Sequence, residues 1–185
     1  MERTDELLMK AYRDGDPSAF PDLVCRYKGL LFGYLMRMVQ NREMAEDCFQ
    51  DTFMRVHAKA HTYRPGAKFK SWLFTIATRI AIDHLRQKKR QPDLQPFENV
   101  EPIEAGGNTP AEETAQLELK QTVQHAIDSL PPKQRTALIL AYYQGHTYAE
   151  VAEIMGCSLG TVKTHMSRAL KKLSTILPVP EGGYQ

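Results

Sequence analysis

The chain is poor in cysteine, with three in 185 residues (Cys25, Cys48 and Cys157), far apart and odd in number. No C-x-x-C pair is present, so neither a disulfide framework nor a zinc ribbon is expected. The thiols read as free and buried, in a reducing compartment. No apolar run approaches the ~18 residues of a membrane span. The opening residues Met1-Glu2-Arg3-Thr4-Asp5-Glu6 are charged and lack the apolar core of a secretory signal. Strand signals are also missing: no Asn-Gly or Asp-Gly turn joins two alternating apolar runs. There is no phosphate-binding loop, no dinucleotide-binding glycine fingerprint and no nucleophile elbow. No catalytic residue, cofactor or small-molecule substrate is therefore expected.

What is present is a soluble globular composition, 42% hydrophobic and 25% charged. The formal net charge of +2 conceals strong segregation. Residues 1–61 are nearly balanced at −1. Residues 62–90 carry 8 basic side chains against 1 acidic, and residues 91–118 carry 7 acidic side chains and no basic one. The remainder, 119–185, is net +3. A basic block of that density suggests a polyanionic partner. The acidic block also holds Pro92, Pro96, Pro102, Gly106, Gly107 and Pro110, which is the composition of a flexible linker. Two small domains follow, at 1–92 and 119–178, joined by the acidic stretch 93–118 and followed by a short tail, 179–185.

Both domains read as helical, giving an all-α fold class. In the first, Leu23, Tyr27, Leu30, Leu31, Tyr34 and Leu35 recur at helical spacing within Phe20–Met38. Ala45, Cys48, Phe49, Phe53 and Val56 form a second stripe over Glu43–Lys59. Trp72, Leu73, Ile76, Ala77, Ile80 and Leu85 form a third over Lys70–Arg86. Asn41 and Ser71 are the candidate caps of the second and third helices. Tyr63-Arg64-Pro65-Gly66 breaks the chain between them. A bundle of three or four helices is expected, with Trp72 and Phe74 in its core.

In the second domain, an amphipathic stretch from Leu117 to Ser129 stops at Pro131-Pro132, and a further helix runs from Pro132 to Gln144 before Gly145. Thr147 and Glu150 form a capping box, Gly156 closes a short helix after Met155, and Ser158 caps a longer one reaching about Leu173. A short helix, a three-residue turn with glycine and a longer helix have the arithmetic of a helix-turn-helix. Val151, Ala152, Met155, Leu159, Val162, Met166 and Leu170 are expected to face inward. Thr161, Lys163, Thr164, Ser167, Arg168 and Lys171 then face outward, with short hydroxyls and long cations suited to base edges and phosphates in a major groove.

The first domain narrows the class. Glu43, Glu46, Asp47, Gln50 and Asp51 make a polar row opposite the Phe49/Phe53 stripe. Capping and the helix dipole explain only its first turn, and the rest suits a basic protein partner. The loop 61–71 combines cations with an aromatic, as a contact for unstacked bases requires. It leads into a helix ending Lys88-Lys89-Arg90.

These residues resemble a known family. Ala45-Glu46-Asp47-Cys48-Phe49-Gln50-Asp51-Thr52-Phe53, Trp72-Leu73-Phe74-Thr75-Ile76-Ala77 and Asp83-His84-Leu85-Arg86 look like domain two of the extracytoplasmic-function (ECF) sigma factors. Leu130-Pro131, Gln134-Arg135, Tyr148-Ala149-Glu150-Val151-Ala152 and Gly160-Thr161-Val162-Lys163 look like their domain four. The resemblance covers about 8–90 and 119–176, in the family's order. It implies a non-catalytic, cytoplasmic promoter-specificity subunit of bacterial RNA polymerase, responding to stress and held in check by an anti-sigma factor. Its implied partners are the beta-prime and beta subunits of core polymerase and promoter DNA.

Residue by residue, the resemblance implies that Glu46, Asp47, Gln50 and Asp51 dock on the beta-prime coiled coil. Lys68, Lys70, Ser71, Arg79, Asp83 and Arg86 would read and hold the minus-ten element. Ser158, Thr161, Lys163, Thr164, Ser167 and Arg168 would serve the minus-thirty-five element. Arg79 departs from the Asn that many members carry. The acidic linker, repelled by duplex DNA, is expected to line a basic channel of the polymerase.

Other readings have weaker support. His57 and His61, four apart, lack the Glu of an H-E-x-x-H site and read as solvated or loop residues, so no metal is expected. Asp83-His84 has no nucleophile within sequence reach. Lys88-Lys89-Arg90 adjoins no apolar face that would insert in a membrane. The main alternative is a stand-alone helix-turn-helix regulator that binds operator DNA by itself. The sequence leaves open whether the two domains fold against each other or drift apart.

Overall fold

The structure, a computed structural model, describes residues 3–90, 119 and 121–177. The acidic stretch, the start of the amphipathic segment at Leu117 and the tail lie outside the described residues. Among the described residues all regular structure is helical, in two units, as the sequence predicts.

The N-terminal unit has four helices: α1 (Asp5–Arg13), α2 (Ala19–Val39), α3 (Arg42–Ala58) and α4 (Phe69–Arg90), with a 3-10 turn at Ala60–Thr62. Thr4 caps α1 by accepting from the Leu7 N–H at 3.3 Å, and α1 buries Leu8 and Met9. Helix α2 is the hub, burying Leu23, Tyr27, Leu31, Tyr34, Leu35 and Met38, while Leu30 faces out. It ends at Gln40 in the left-handed region (φ 56°). Asn41 caps α3 through the Met44 N–H at 2.7 Å, as expected. Ser71 is not the cap of α4. The helix begins two residues earlier, at Phe69, whose N–H donates to Glu6 Oε1 of α1 at 3.2 Å.

Phe74 is fully buried and meets Tyr34 edge-on, with centroids 5.0 Å apart. Trp72 is half-buried against Tyr63. Tyr34 Oη and Thr78 Oγ1 share the hydrogen bond that joins α2 to α4 in the core, at 2.7 Å. Tyr34→Phe leaves the Thr78 hydroxyl unpartnered in a dry site. We expect a loss of about 1–2 kcal/mol in urea unfolding; an unchanged midpoint would mean the hydroxyl is already satisfied elsewhere. The thiol expectation needs correction, because Cys48 is buried but Cys157 is only partly covered and Cys25 is exposed. Cys25 stands on the outer side of α2, away from the stripe that faces the core.

The C-terminal unit comprises α5 (121–128), α6 (Pro132–Leu138), α7 (Tyr148–Met155) and α8 (Leu159–Ile176). The expected regular helix from Pro132 to Gln144 changes pitch. Residues Ile139–Tyr143 form a π turn, with the Gln144 N–H reaching Ile139 O at 3.1 Å. The wider turn buries Ile139 and Leu140 together and turns Tyr142 and Tyr143 outward.

The two units are packed against each other. Arg135 Nη1 of α6 donates to Met38 O of α2 at 3.0 Å. Thr136 Oγ1 lies 3.6 Å from Met38 Sδ, and the Arg37 guanidinium sits 4.6 Å above the Tyr143 ring. Phe74 meets His146 edge-on at 5.3 Å.

Candidate nucleic-acid interface

Three surfaces hold the residues singled out from the sequence. On α3, Glu46, Asp47, Gln50 and Asp51 are all exposed, projecting opposite buried Ala45, Cys48, Thr52 and Val56. Arg42 Nε pairs with Glu46 Oε1 at 2.9 Å, and His84 of α4 lies 3.2 Å from Asp51 Oδ2. Burial first, then Asp51 and Asp47, pushes the Cys48 thiol up to about 12, so this cysteine is an inert core residue.

The second surface is the loop before α4. Tyr63 is buried, its hydroxyl donates to Ala67 O, and Arg13 Nη1 donates to Tyr63 O at 3.4 Å. Gly66 takes φ +85°, a left-handed turn that side chains rarely adopt. This scaffold presents Lys68, Lys70 and Ser71 beside Trp72 and Thr75. Farther along α4, Arg79, Asp83 and Arg86 are exposed, with Asp83 and Arg86 paired at 3.3 Å. They continue the loop's face away from the core.

Most of the loop is exposed, and two of its cations reach the C-terminal unit. Lys68 Nζ pairs with Glu150 Oε1 of α7 at 2.7 Å, and Lys70 Nζ donates to Gln144 O at 2.6 Å. A cavity of about 430 Å³ lies between Gly66, Lys68, Ser71, Trp72 and Thr75 on one side and Glu150 and Glu153 on the other. The Lys68 hydrogen bond, followed by that of the Thr147 backbone, lowers the Glu150 carboxyl to about 2.

The third surface is the helix-turn-helix, and its punctuation follows the sequence. Thr147 and Glu150 form the reciprocal capping box. Gly156 closes α7 in the left-handed region (φ +62°), and Ser158 Oγ accepts from the Thr161 N–H at 3.1 Å. Lys163, Thr164, Ser167, Arg168 and Lys171 are exposed on α8, while Thr161 is half-buried against Ser158. The apolar register needs correction. Val162, Met166, Ala169 and Leu173 form the buried stripe, while Leu159 and Leu170 are 44% and 41% exposed. In α7, Ile154 is buried and Met155 only partly so.

Sequence reasoning missed the residues that join the units: Arg135, Gln144, His146 and Glu150 in its second role. One signal was available, a lone arginine entering the apolar run Thr136-Ala137-Leu138-Ile139-Leu140. His146 is buried at this seam. Desolvation, with Lys70 next, lowers its imidazole to about 4, although Glu150 opposes the shift from 3.9 Å. The neighbouring charges are Lys68 and Lys70 from the N-terminal unit and Glu150 from α7. An unfolded histidine takes up its proton near 6.5, but the folded one does not until about 4. Stability contributed by His146 is thus complete above 6.5 and is lost as pH falls toward 4. His165 is shifted in the same direction, chiefly by burial. We expect the melting temperature to fall between pH 6.5 and 4.5, and His146→Gln to flatten that fall. An equally steep profile in the variant would assign the effect elsewhere.

Among the described residues, no helix is long and apolar enough to cross a membrane, and no group of three or more His, Cys, Asp or Glu side chains is placed to hold a metal ion.

A four-helix unit with a loop-led cationic helix, followed by a helix-turn-helix, defines a sigma-70-type protein. Residues 23–91 match the family described as Sigma-70 region 2, and residues 120–173 match Sigma-70, region 4. The ECF RNA polymerase sigma factor SigW of Bacillus subtilis is 34% identical over 182 residues, covering 94% of this chain and 96% of its own. SigM of Mycobacterium tuberculosis is 34% identical over 176 residues, covering 95% and 86%. The sigma factor RpoE of Bartonella quintana, solved with the anti-sigma factor NepR, superposes with a TM-score of 0.72 at 27% identity, covering 88% of this chain and 98% of that one. The chain belongs to the ECF RNA polymerase sigma factors.

Proposed function

We propose that the chain binds core RNA polymerase through α3, holds the minus-ten element with the 61–71 loop and α4, and reads the minus-thirty-five element with α8. The docking row is Glu46, Asp47, Gln50 and Asp51. The minus-ten set is Lys68, Lys70, Ser71, Arg79, Asp83 and Arg86. Ser158 and Thr161 set the start of α8, and Lys163, Thr164, Ser167 and Arg168 form its reading face. The protein works in the cytoplasm without catalysing a reaction, directs promoter-specific initiation in response to a stress signal, and is restrained by an anti-sigma factor.

The observation that carries this reading is the pairing, on one chain, of an exposed carboxylate row on α3 with a capped α8 whose outward face is cationic. Phosphate contacts supply salt-dependent affinity, and the loop and α8 supply sequence choice. Trapping an extruded base costs a few kcal/mol of unstacking, which the assembled complex offsets. The complex of the Bartonella quintana relative with NepR supports the anti-sigma partner.

Run-off transcription from a promoter library, with core polymerase and with or without the chain, tests the reading. Transcripts that depend on the chain are expected. Silence across the library, with operator binding by the chain alone, would favour the stand-alone regulator.

A further inference from the structure

One edge of α8 carries a histidine among cations. Thr161, His165, Arg168 and Lys172 recur along it at three and four residue steps, beside the buried row Val162, Met166, Ala169 and Leu173. The start of α6 stands against this edge. Lys172 Nζ donates to Ser129 O in the turn that leads into α6. Lys133, exposed in the first turn of α6, acts electrostatically on His165, as does Arg168. A helix with its side chains is about 10–12 Å across, and the major groove is about 12 Å wide. A helix that reads bases with one face therefore brings its edges against the groove walls, where the phosphates run. We infer that His165, Lys133 and Arg168 form a backbone-phosphate site at the edge of the reading face, and that duplex DNA binding there takes up a proton from solution onto the imidazole, an inference that rests on the role of α8 proposed above.

In the free chain the ring is half-buried, and its Nδ1 is enclosed without a hydrogen-bond partner. Nε2 is left to meet an anion. Burial first, then Lys133 and Arg168, holds the imidazole below its ordinary proton affinity, so it is neutral near pH 7. Lys172, the next cation on the edge, is turned to Ser129 O. A phosphate seated among Lys133, His165 and Arg168 reverses the balance. It offsets the two cations and gives Nε2–H an anionic acceptor, and both effects favour the charged ring. A group that holds its proton more tightly in the complex than in the free chain strengthens binding as pH falls. Arginine or lysine at this position would be charged throughout and would carry no such dependence.

Anisotropy titration of the full chain with a short fluorescent mixed-sequence duplex, at constant ionic strength between about pH 8 and pH 6, tests this. Wild type should gain at least about threefold more affinity over that range than His165→Gln, below the limit of about tenfold per pH unit that one proton sets. His165→Arg should bind tightly throughout, with the flatter profile of the glutamine variant. Lys133→Met should weaken binding at every pH and reduce the salt slope by about 1. In the wild-type chain, the His165 imidazole should titrate at higher pH with duplex than without it by NMR, a readout that needs no variant to fold. Parallel profiles for wild type and His165→Gln, an unchanged salt slope in Lys133→Met, or a His165 titration that duplex does not move would overturn the inference. Duplex binding without proton uptake would sink the inference and leave the proposed role of α8 standing, whereas no duplex binding at any pH would sink both.

Discussion

Reversing Asp47 and Asp51 to lysine is expected to abolish stable binding to core RNA polymerase while the protein stays folded. Both side chains are exposed on α3. The face beneath them is held by Ala45, Cys48, Thr52 and Val56, none of which the substitutions touch. An internal contact at risk is Asp51 with His84 at 3.2 Å, and an exposed pair of that kind contributes at most about 1 kcal/mol. At the proposed docking surface the expected change is larger, since two attractions would become repulsions. Truncating one partner of a desolvated charge pair costs about 2–5 kcal/mol, and reversal adds to that. An affinity loss of a hundredfold or more, on the order of 3 kcal/mol, should appear in an anisotropy titration with core enzyme. Unchanged affinity with an unchanged helical circular dichroism signal would remove α3 as the docking element.

Arg135→Met is expected to give the largest loss of stability from a single side chain. Arg135 is 7% exposed, and its guanidinium donates to three backbone carbonyls. These are Met38 O at 3.0 Å, Leu130 O at 3.2 Å and Asp128 O. Desolvation lowers its affinity for the proton, and Asp128 partly restores it. Methionine fills much of the volume but donates nothing, leaving three carbonyls short of a partner. Losses of this type reach about 3–5 kcal/mol. Urea unfolding of the full chain should show it, and Arg135→Lys should recover only a fraction, because an ammonium cannot serve three divergent acceptors as a planar fork does. A variant within 1 kcal/mol of wild type, on the order of an ordinary surface change, would mean that solvent satisfies those carbonyls.

The helix-turn-helix was the most legible part of the sequence because its punctuation is local. Thr147 and Glu150 are three apart, Gly156 marks a left-handed closure, and Ser158 caps within its own turn. The register of α8 was less legible. Ala169 and Leu170 are adjacent, and hydropathy favours the leucine, yet the smaller side chain is the buried one. The start of α4 was hidden for another reason. Its cap is the Glu6 carboxylate, which comes from α1, so the nearby Ser71 took its place in a local reading. The π turn at Ile139–Tyr143 is a change of pitch inside an apolar run and leaves no periodic trace. At the candidate site, the carboxylates of α3 and the cations of α8 were readable from spacing. The contact of the loop with α7 was not, because Lys68 and Glu150 are 82 residues apart and the pair becomes visible only when both units are in place.

Glu150 has a consequence of its own. Besides meeting Lys68, its other oxygen, Oε2, accepts from the Thr147 N–H at 2.9 Å and from Thr147 Oγ1 at 3.0 Å. The Thr147 donors hold the carboxylate in the first turn of α7 independently of the lysine. One anion serves as clasp between the units and as keystone within its own.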